Sequence, residues 1–307
     1  MATQPAAHQD PWMVTPDGNP RGYIQPQSLR ELWFHTGTAC NLSCPFCLEG
    51  SKPGDNRLNL IRFQDARPII EEALDLGVEQ FSFTGGEPFV CKDIVHILDY
   101  ALQHRPCLVL TNATDPLLRR LHEVAPLASA KNELSFRVSI DYPDARRHDQ
   151  DRGEGSFEKS MLAMRRLLGA GFPISVARQM KKDEDRQAVD AQYRQLFKQQ
   201  GLPQNLLIVP FPDFYPPGAQ PSGIPHITED CMTRYQDAES RSRFMCAFSK
   251  MVVKQDGRMR VYACTLVDDD RDYDQGPSLE EALRERVMLK HHRCFSCFAY
   301  GASCSQI

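Results

Sequence analysis

Residues 40–47 read Cys40-Asn-Leu-Ser-Cys44-Pro-Phe-Cys47 and place three thiols within eight residues. They follow a short apolar run at residues 32–36, which is typical of a buried strand. Soft thiolates select zinc, copper(I) or iron–sulfur clusters. Three of them can hold three corners of a cubane cluster and leave its fourth iron open to a small molecule. A structural zinc ion takes four protein ligands, and no fourth is evident nearby, since His35 lies on the strand and His148 is distant.

A second motif, Phe83-Thr84-Gly85-Gly86-Glu87-Pro88, follows the next apolar run at residues 80–84. A glycine pair lets the backbone approach a ligand closely, and its exposed backbone groups can bind an amino group or a carboxylate. Taken alone, the pair fits an ordinary turn between a strand and a helix equally well. Its position at a strand end, like that of the triplet, makes it a candidate for the same site.

Short apolar runs alternate with amphipathic stretches between residues 31 and 210, which predicts parallel strands joined by helices. Two of the stretches, residues 66–76 and 156–168, have clear helical spacing. We therefore expect an α/β fold, a partial (β/α)6 barrel, with its chemistry at the carboxyl ends of the strands. The predicted strands are residues 32–36, 80–84, 107–111, 134–141, 174–180 and 205–210.

The triplet and the Gly-Gly-Glu-Pro motif, each at a strand end, together resemble the radical S-adenosylmethionine (SAM) superfamily over residues 31–210. The resemblance implies that Cys40, Cys44 and Cys47 hold a [4Fe–4S] cluster whose fourth iron binds SAM. It also implies a role in binding SAM for Gly85, Gly86 and Glu87, at the methionine end, and for Phe46, near the adenine.

The resemblance extends to four more positions, whose roles are less specific. Ser139 and Asp141 end the fourth predicted strand, where the family contacts SAM, although Asp141 could equally cap a turn. Arg152 begins an Arg-Gly turn like that of the family. Arg178 ends the fifth strand and could reach SAM or substrate, or instead form a surface ion pair with Asp183 or Glu184.

The composition of the 307-residue chain excludes several classes of protein. Its 41% hydrophobic and 25% charged residues are ordinary for a globular protein. A net charge of −4 argues against a nucleic-acid partner, and no apolar run is long enough to cross a membrane. Residues 1–30, an N-terminal extension, lack the apolar core of a secretory signal. Clustered thiols without a disulfide framework indicate the cytoplasm.

The segment after residue 210 changes character. Residues 211–230 are rich in proline and predict a linker or lid, and residues 231–307 hold six of the eleven cysteines. Asp256-Gly257 lies between two apolar runs and predicts a hairpin, and Ser278 begins a capping box that predicts a short helix toward Cys294. Cys91 and Cys107 stand apart and fit buried core positions.

This C-terminal segment resembles the small auxiliary-cluster domains of radical SAM enzymes, of the SPASM or shorter twitch type. The resemblance implies a second [4Fe–4S] cluster, for which we expect Cys246, Cys264, Cys294 and Cys297 as ligands. Cys304 could replace Cys246 or Cys231 in the set, and a structural zinc ribbon is the alternative for the whole segment. Cys231 and Cys304 are left over and are candidates for a catalytic thiol that returns a hydrogen atom to the substrate.

The resemblance further implies dehydrogenation or epimerisation of a small hydroxylated substrate, similar to a sugar or an aminoglycoside, with electrons from a flavodoxin or ferredoxin. The alternative is modification of a ribosomally made peptide. We expect no winged-helix peptide-binding domain, because only about thirty residues precede the first strand. A metal-stabilised binding module without enzymatic activity is a third hypothesis. The oligomeric state is not predicted.

Overall fold

The computed structural model describes residues 10–181, 183–212 and 214–301. Strands and helices alternate through the first two thirds of the chain, because runs of apolar residues that suit a fully buried strand are separated by amphipathic stretches. Its elements are β1 (Tyr23–Ile24), β2 (Glu31–His35), α1 (Phe63–Asp75), β3 (Gln80–Thr84), α2 (Ile94–Leu102), β4 (Cys107–Thr111), α3 (Asp115–Val124), β5 (Leu134–Ser139), α4 (Ala145–Arg152), α5 (Ser156–Gly169), β6 (Ile174–Met180), α6 (Arg186–Gln199) and β7 (Leu207–Pro212). Short 3₁₀ segments lie at Pro88–Val90 and Ala125–Ser129, between the strands of the sheet, and at Arg271–Tyr273.

The C-terminal part is made of short elements around one hairpin. The remaining elements are α7 (Glu229–Tyr235), α8 (Ala238–Ser242), α9 (Met245–Phe248), β8 (Ser249–Gln255), β9 (Arg258–Tyr262), α10 (Leu279–Arg284), β10 (Val287–Met288) and α11 (His292–Tyr300).

Strands β2 to β7 form one sheet in sequential order, and every neighbouring pair is parallel. This confirms the predicted α/β partial barrel. The main apolar core lies between these strands and the helices that connect them. Three predicted strands have the expected bounds, and β2 and β7 are shifted by one and two residues. Strand β5 ends at Ser139, two residues early, and the Asp141 side chain beyond it accepts hydrogen bonds from Arg152 on α4 and from the amide of Gln179 on β6.

The predicted hairpin at Asp256-Gly257 is present and extends the barrel sheet. Both residues have positive φ angles, 51° and 75°, as a two-residue turn between antiparallel strands requires. Strand β8 pairs parallel with β2, with Glu31 opposite Ser249, and β9 pairs antiparallel with β8. The cysteine-rich segment therefore shares a sheet with the barrel. The domain boundaries at residues 210 and 230 remain predictions.

The part of the N-terminal extension that the structure describes packs against the C-terminal segment. Strand β1 pairs antiparallel with β10, and the ring of Trp12 meets that of Tyr273 edge-on at 5.0 Å. Ser278 caps the start of helix α10 as predicted, but the helix ends at Arg284, because the chain then enters β10. Among the described residues, no helix combines the length and apolar character that crossing a membrane requires.

Candidate active site

The candidate active site is a cavity of about 210 Å³ at the carboxyl ends of the parallel strands. All three thiols of the triplet line it. Seven of the eight residues predicted to bind the cofactor also line it, and the eighth, Glu87, does not. Those seven residues are Phe46, Gly85, Gly86, Ser139, Asp141, Arg152 and Arg178.

The glycine pair lies directly against the segment that leads into the triplet. The amide of Gly86 donates to the Gly37 carbonyl at 2.9 Å, and the amide of Glu87 donates to the Ala39 carbonyl at 3.1 Å. A Cβ atom on Gly86 would lie 2.3 Å from the Ala39 carbonyl oxygen, and Gly85 has a φ of +142°. Only glycine fits these two positions without moving the backbone, so the two motifs are assembled through main-chain contacts.

The triplet cysteines are partly buried and free of disulfides. Burial raises the pKa of all three thiols, and that of Cys40 reaches about 12. A bound cation would reverse this effect, because metal ligation deprotonates a thiol. Three soft donors and a glycine pair on the same cavity fit a cubane cluster held at three corners.

The Glu87 carboxylate has a structural role. Its side chain is buried, and its carboxylate accepts hydrogen bonds from the Thr111 hydroxyl and from the amides of Phe89 and Asn112. Burial raises its pKa to about 7 in spite of these donors. The carboxylate therefore connects the segment after β3 to the end of β4, and the role of Glu87 in binding SAM stays a prediction.

An ion pair between Arg152 and Asp141 also lines the cavity. The Nε of Arg152 donates to the Asp141 carboxylate, whose other oxygen accepts from the amide of Gln179 at 3.2 Å. The guanidinium lies 5.7 Å from the centre of the Phe46 ring, a cation–π contact. Burial opposes the charge of Arg152, but the Asp141 carboxylate beside it raises the pKa of the guanidinium. The Arg152 guanidinium thus stays charged next to the triplet.

Arg178 also reaches the cavity, but its charge is satisfied elsewhere. The guanidinium is 1% exposed and bonds to Glu184 at 2.5 Å and to Asp190 at 3.2 Å. The ion pair that the sequence suggested with Glu184 is therefore present, although it is buried and not on the surface. This leaves Ser139 and Asp141 as the better placed polar groups on that side.

The four cysteines predicted to hold the auxiliary cluster line a second, much smaller cavity. Cys246, Cys264 and Cys294 are buried and Cys297 is partly exposed. Burial and the neighbouring thiols together raise the pKa of Cys246 and of Cys294, the latter to about 12. Four converging thiols fit a second cluster, with the same chemistry as the first.

The other cysteines lie apart from both cavities or outside the described residues. Cys231, a predicted catalytic thiol, lies on α7, accepts a hydrogen bond from the Thr228 hydroxyl at 3.2 Å and lines neither cavity. The structure thus gives no support to its role as a hydrogen donor. Cys304 lies outside the described residues. Cys91 and Cys107 are buried in the barrel core, as predicted.

Sequence reasoning missed two polar residues of the site. Asn112 follows β4 and its side-chain amide lies 3.8 Å from the Cys40 sulfur and 3.1 Å from the Asn41 amide oxygen. Glu49 lies two residues after the triplet and also lines the cavity. The strand-end rule, which was applied to the first, second, fourth and fifth strands, would have found Asn112 if it had also been applied to the third.

Comparison with known proteins gives one family and several partial relatives. Residues 34–185 match the radical SAM superfamily. The chain is 34% identical over 135 residues to the mycofactocin maturase MftC of Mycolicibacterium smegmatis (44% of this chain, 33% of MftC). It is 31% identical over 146 residues to the antilisterial bacteriocin subtilosin biosynthesis protein AlbA of Bacillus subtilis (47% of this chain, 32% of AlbA). The matched part is thus about one third of each relative.

The fold also agrees with a solved structure. Streptococcus suis SuiB bound to its precursor peptide SuiA superposes with a TM-score of 0.57 at 16% identity, over 84% of this chain and 65% of SuiB. At this identity the likeness concerns the fold alone. The family match covers the triplet, the glycine pair and the charged pair that meet at the cavity. The chain belongs to the radical SAM superfamily, whose cofactors are a [4Fe–4S] cluster and SAM.

Proposed function

We propose that the chain is a radical SAM enzyme that removes a hydrogen atom from a peptide substrate. The observation that carries the proposal is the convergence of Cys40, Cys44 and Cys47 with Gly85 and Gly86 on one cavity at the strand ends. When bound there, a reduced cluster supplies the electron that cleaves SAM into methionine and a 5′-deoxyadenosyl radical able to abstract hydrogen.

The protein's own residues would bind the cluster and SAM, orient them and shield the reactive intermediate from water. The three thiolates would hold the cluster, and the backbone at Gly85 and Gly86 would receive the polar methionine end of SAM. Arg152 and Asp141 form an ion pair on the same cavity, and they orient each other before any ligand binds. Phe211 and Phe214 line the same cavity and help to exclude water from a reactive intermediate.

The second group of thiols supports a net oxidation. An auxiliary [4Fe–4S] cluster at Cys246, Cys264, Cys294 and Cys297 would place a second redox centre beside the barrel. A redox centre near a substrate radical provides an acceptor for its unpaired electron, which favours dehydrogenation or cross-linking. Epimerisation is less favoured, because Cys231 lines neither cavity. We propose flavodoxin or ferredoxin as the electron donor.

The substrate class rests on the relatives. MftC is named as a maturase and AlbA as a bacteriocin biosynthesis protein, and SuiB is seen with a precursor peptide. These three support the peptide alternative better than the sugar-like substrate that the sequence led us to expect. The match with each curated relative is confined to about a third of its length, so the peptide remains a proposal.

The first experiment measures iron, sulfide and zinc in the anaerobically reconstituted protein, and 5′-deoxyadenosine formed from SAM with dithionite. We expect about eight irons, or two cubane clusters, and SAM cleavage. Substitution of Cys40, Cys44 and Cys47 by Ala should remove about four irons and all cleavage. The matched control is Cys91→Ser, because the Cys91 thiol donates to the Ile61 carbonyl at 3.1 Å and a hydroxyl can replace it. Full iron content in the triple variant contradicts the assignment, and four irons with one zinc contradicts the auxiliary cluster.

The second experiment addresses the substrate. The enzyme is incubated with SAM, dithionite and either a pool of synthetic peptides or a pool of amino sugars and aminoglycosides. We expect the peptide pool to accelerate 5′-deoxyadenosine formation and to yield a product lighter by two hydrogen atoms. If only the sugar pool accelerates 5′-deoxyadenosine formation, the peptide proposal is wrong and a small hydroxylated molecule is the substrate class.

A further inference from the structure

A buried polar cluster lies between the two groups of cysteines and belongs to neither. His35 ends β2, Glu49 lies two residues after Cys47, and Asp268 lies four residues after Cys264. The Nε2 of His35 lies 3.2 Å from a Glu49 oxygen and 3.8 Å from an Asp268 oxygen. The three residues thus join the barrel, the loop of the first cluster and the loop of the second.

The composition of this cluster first suggests a metal site, because one imidazole and two carboxylates lie within 4.8 Å of one another. The hydrogen bonding of His35 argues against it. The Gly37 amide donates to His35 Nδ1 at 3.2 Å, so Nδ1 is an acceptor and the proton of the neutral ring is on Nε2. A histidine that ligates a metal through Nε2 normally carries its proton on Nδ1. Here Nε2 instead donates to Glu49.

Arg293 connects the same loops through backbone carbonyls. It precedes Cys294 and is 1% exposed. Its guanidinium donates to the carbonyls of Leu48 at 3.0 Å, Leu266 at 3.1 Å and Tyr215 at 2.9 Å. Leu48 follows a triplet cysteine directly, and Leu266 lies two residues after Cys264. A planar guanidinium can make several such bonds in a fixed geometry, which a lysine cannot.

Asp268 is enclosed by the same groups. Its side chain is 2% exposed, and neither of its oxygens accepts a hydrogen bond among the described residues. Burial and the neighbouring Glu49 carboxylate raise the pKa of Asp268 well above its usual range. The ion pair of Arg293 is with the next residue, Asp269, at 3.5 Å. Asp268 thus meets the cluster through His35, and Arg293 meets the same loops through backbone carbonyls and Asp269.

We propose that His35, Glu49, Asp268 and Arg293 form a buried polar bridge that fixes the loop of the auxiliary cluster against the loop of the SAM cluster and so sets the separation of the two clusters. These four are positioning residues, since they act through the cysteine loops. The proposal rests on the two-cluster assignment of the proposed function, but the bridge itself can be tested without the clusters.

The test compares wild-type holoenzyme with Asp268→Asn and Arg293→Lys, both of which preserve approximate side-chain size. Asp256→Asn is the matched control, because it makes the same substitution at the exposed hairpin tip. Pulsed electron paramagnetic resonance on the reduced protein gives the distance between the clusters. Hydrogen–deuterium exchange gives the protection of residues 44–58, the loop that holds Glu49 and the Leu48 carbonyl.

We expect both bridge variants to retain their iron, to show a broadened or shifted distance between clusters, and to exchange residues 44–58 about tenfold faster. The control should match wild type in all three measurements. An unchanged distance and unchanged exchange in both variants would overturn the proposal. So would one Mn²⁺ retained through desalting by wild type and lost in Asp268→Asn, because that result would make the cluster a metal site.

The same measurements separate this proposal from the proposed function. If wild type holds only about four irons, the auxiliary cluster is wrong, and the exchange of residues 44–58 still decides whether the bridge joins the loops. If wild type holds about eight irons and the bridge variants behave like the control, the clusters stand and the bridge is wrong.

Discussion

Gly86 and Ala39 are in direct main-chain contact, and this contact joins the two motifs of the active site. A Cβ atom on Gly86 would lie 2.3 Å from the Ala39 carbonyl oxygen and 2.6 Å from its carbonyl carbon. The amide of the following residue, Glu87, donates to the same Ala39 carbonyl at 3.1 Å. Because both contacts are made by backbone, neither partner can relax by changing a rotamer. Ala39 precedes Cys40, so the glycine determines where the triplet lies.

Gly86→Ala should therefore shift the position of the triplet without removing any of its cysteines. We expect loss of most of the iron of the SAM cluster and a fall in SAM binding of at least tenfold, measured by iron assay and equilibrium dialysis. Gly169→Ala is the control, since nothing lies within 4 Å of its added Cβ and alanine at a helical position is stabilising by up to about 1 kcal/mol. Normal iron content in Gly86→Ala would show that the loop can move.

The Arg152–Asp141 pair predicts a coupled effect on SAM binding. Both side chains are largely buried, and removal of one partner of a buried pair costs about 3–5 kcal/mol of stability. Arg152→Gln and Asp141→Asn should each lower the melting temperature and SAM affinity, and the double variant should lose less than the sum. Arg67→Gln, which removes an exposed ion pair with Glu71, should change neither. Additive losses would mean that the two residues act separately.

The barrel was predictable because its signals are local. Buried parallel strands are continuous apolar runs, and the runs at residues 80–84, 107–111 and 174–180 give strands with those bounds. The attachment of β8 to β2 was not predictable. Glu31 and Ser249 are opposite one another in that pair but far apart in sequence. The hydrophobic periodicity of a strand does not show which edge of a sheet it pairs with.

The residues of the site could be predicted where the chemistry requires a particular residue type. They could not be predicted where only tertiary structure determines which side chains meet. Thiols and a glycine pair have few uses at strand ends, so the triplet and Gly86 could be assigned from type and position. The hydrogen bonds that Glu87 accepts could not be predicted, because a carboxylate can face a cavity or bond to a neighbouring strand, and the sequence does not show that Thr111 and Asn112 donate to it. The Asp268 contact with His35 likewise depends on tertiary structure.

Cys231 provides a direct test of the hydrogen-donor hypothesis. Its sulfur accepts from the Thr228 hydroxyl and lines neither cavity. We expect Cys231→Ser to keep the full iron content and the wild-type rate of 5′-deoxyadenosine formation. Cys297→Ser, in contrast, should lose iron from the auxiliary cluster. A stalled or over-oxidised product specific to Cys231→Ser, detected by mass spectrometry, would restore the epimerase hypothesis.

His148 makes the folded state sensitive to acid. Its ring is buried on α4, packs edge-on against Phe157 at 5.6 Å and has no hydrogen-bond partner on either nitrogen among the described residues. Burial, assisted by the positive charge of Arg152, lowers its pKa from 6.5 to about 4, although Asp141 and Asp149 oppose the shift. The unfolded chain therefore binds a proton at a higher pH than the folded chain does.

The sign of the pH effect follows from this difference. Above pH 6.5 the ring is neutral in both states, so its contribution to stability is complete. Between pH 6.5 and about 4 the ring is protonated only in the unfolded state. The free energy of unfolding therefore decreases as the pH is lowered, by as much as about 3 kcal/mol. His148→Phe should remove this component, giving a flatter dependence in urea titrations between pH 4 and 7. His122→Phe, at an exposed position on α3, should keep the wild-type slope. An equally steep slope in His148→Phe would assign the acid sensitivity to other groups.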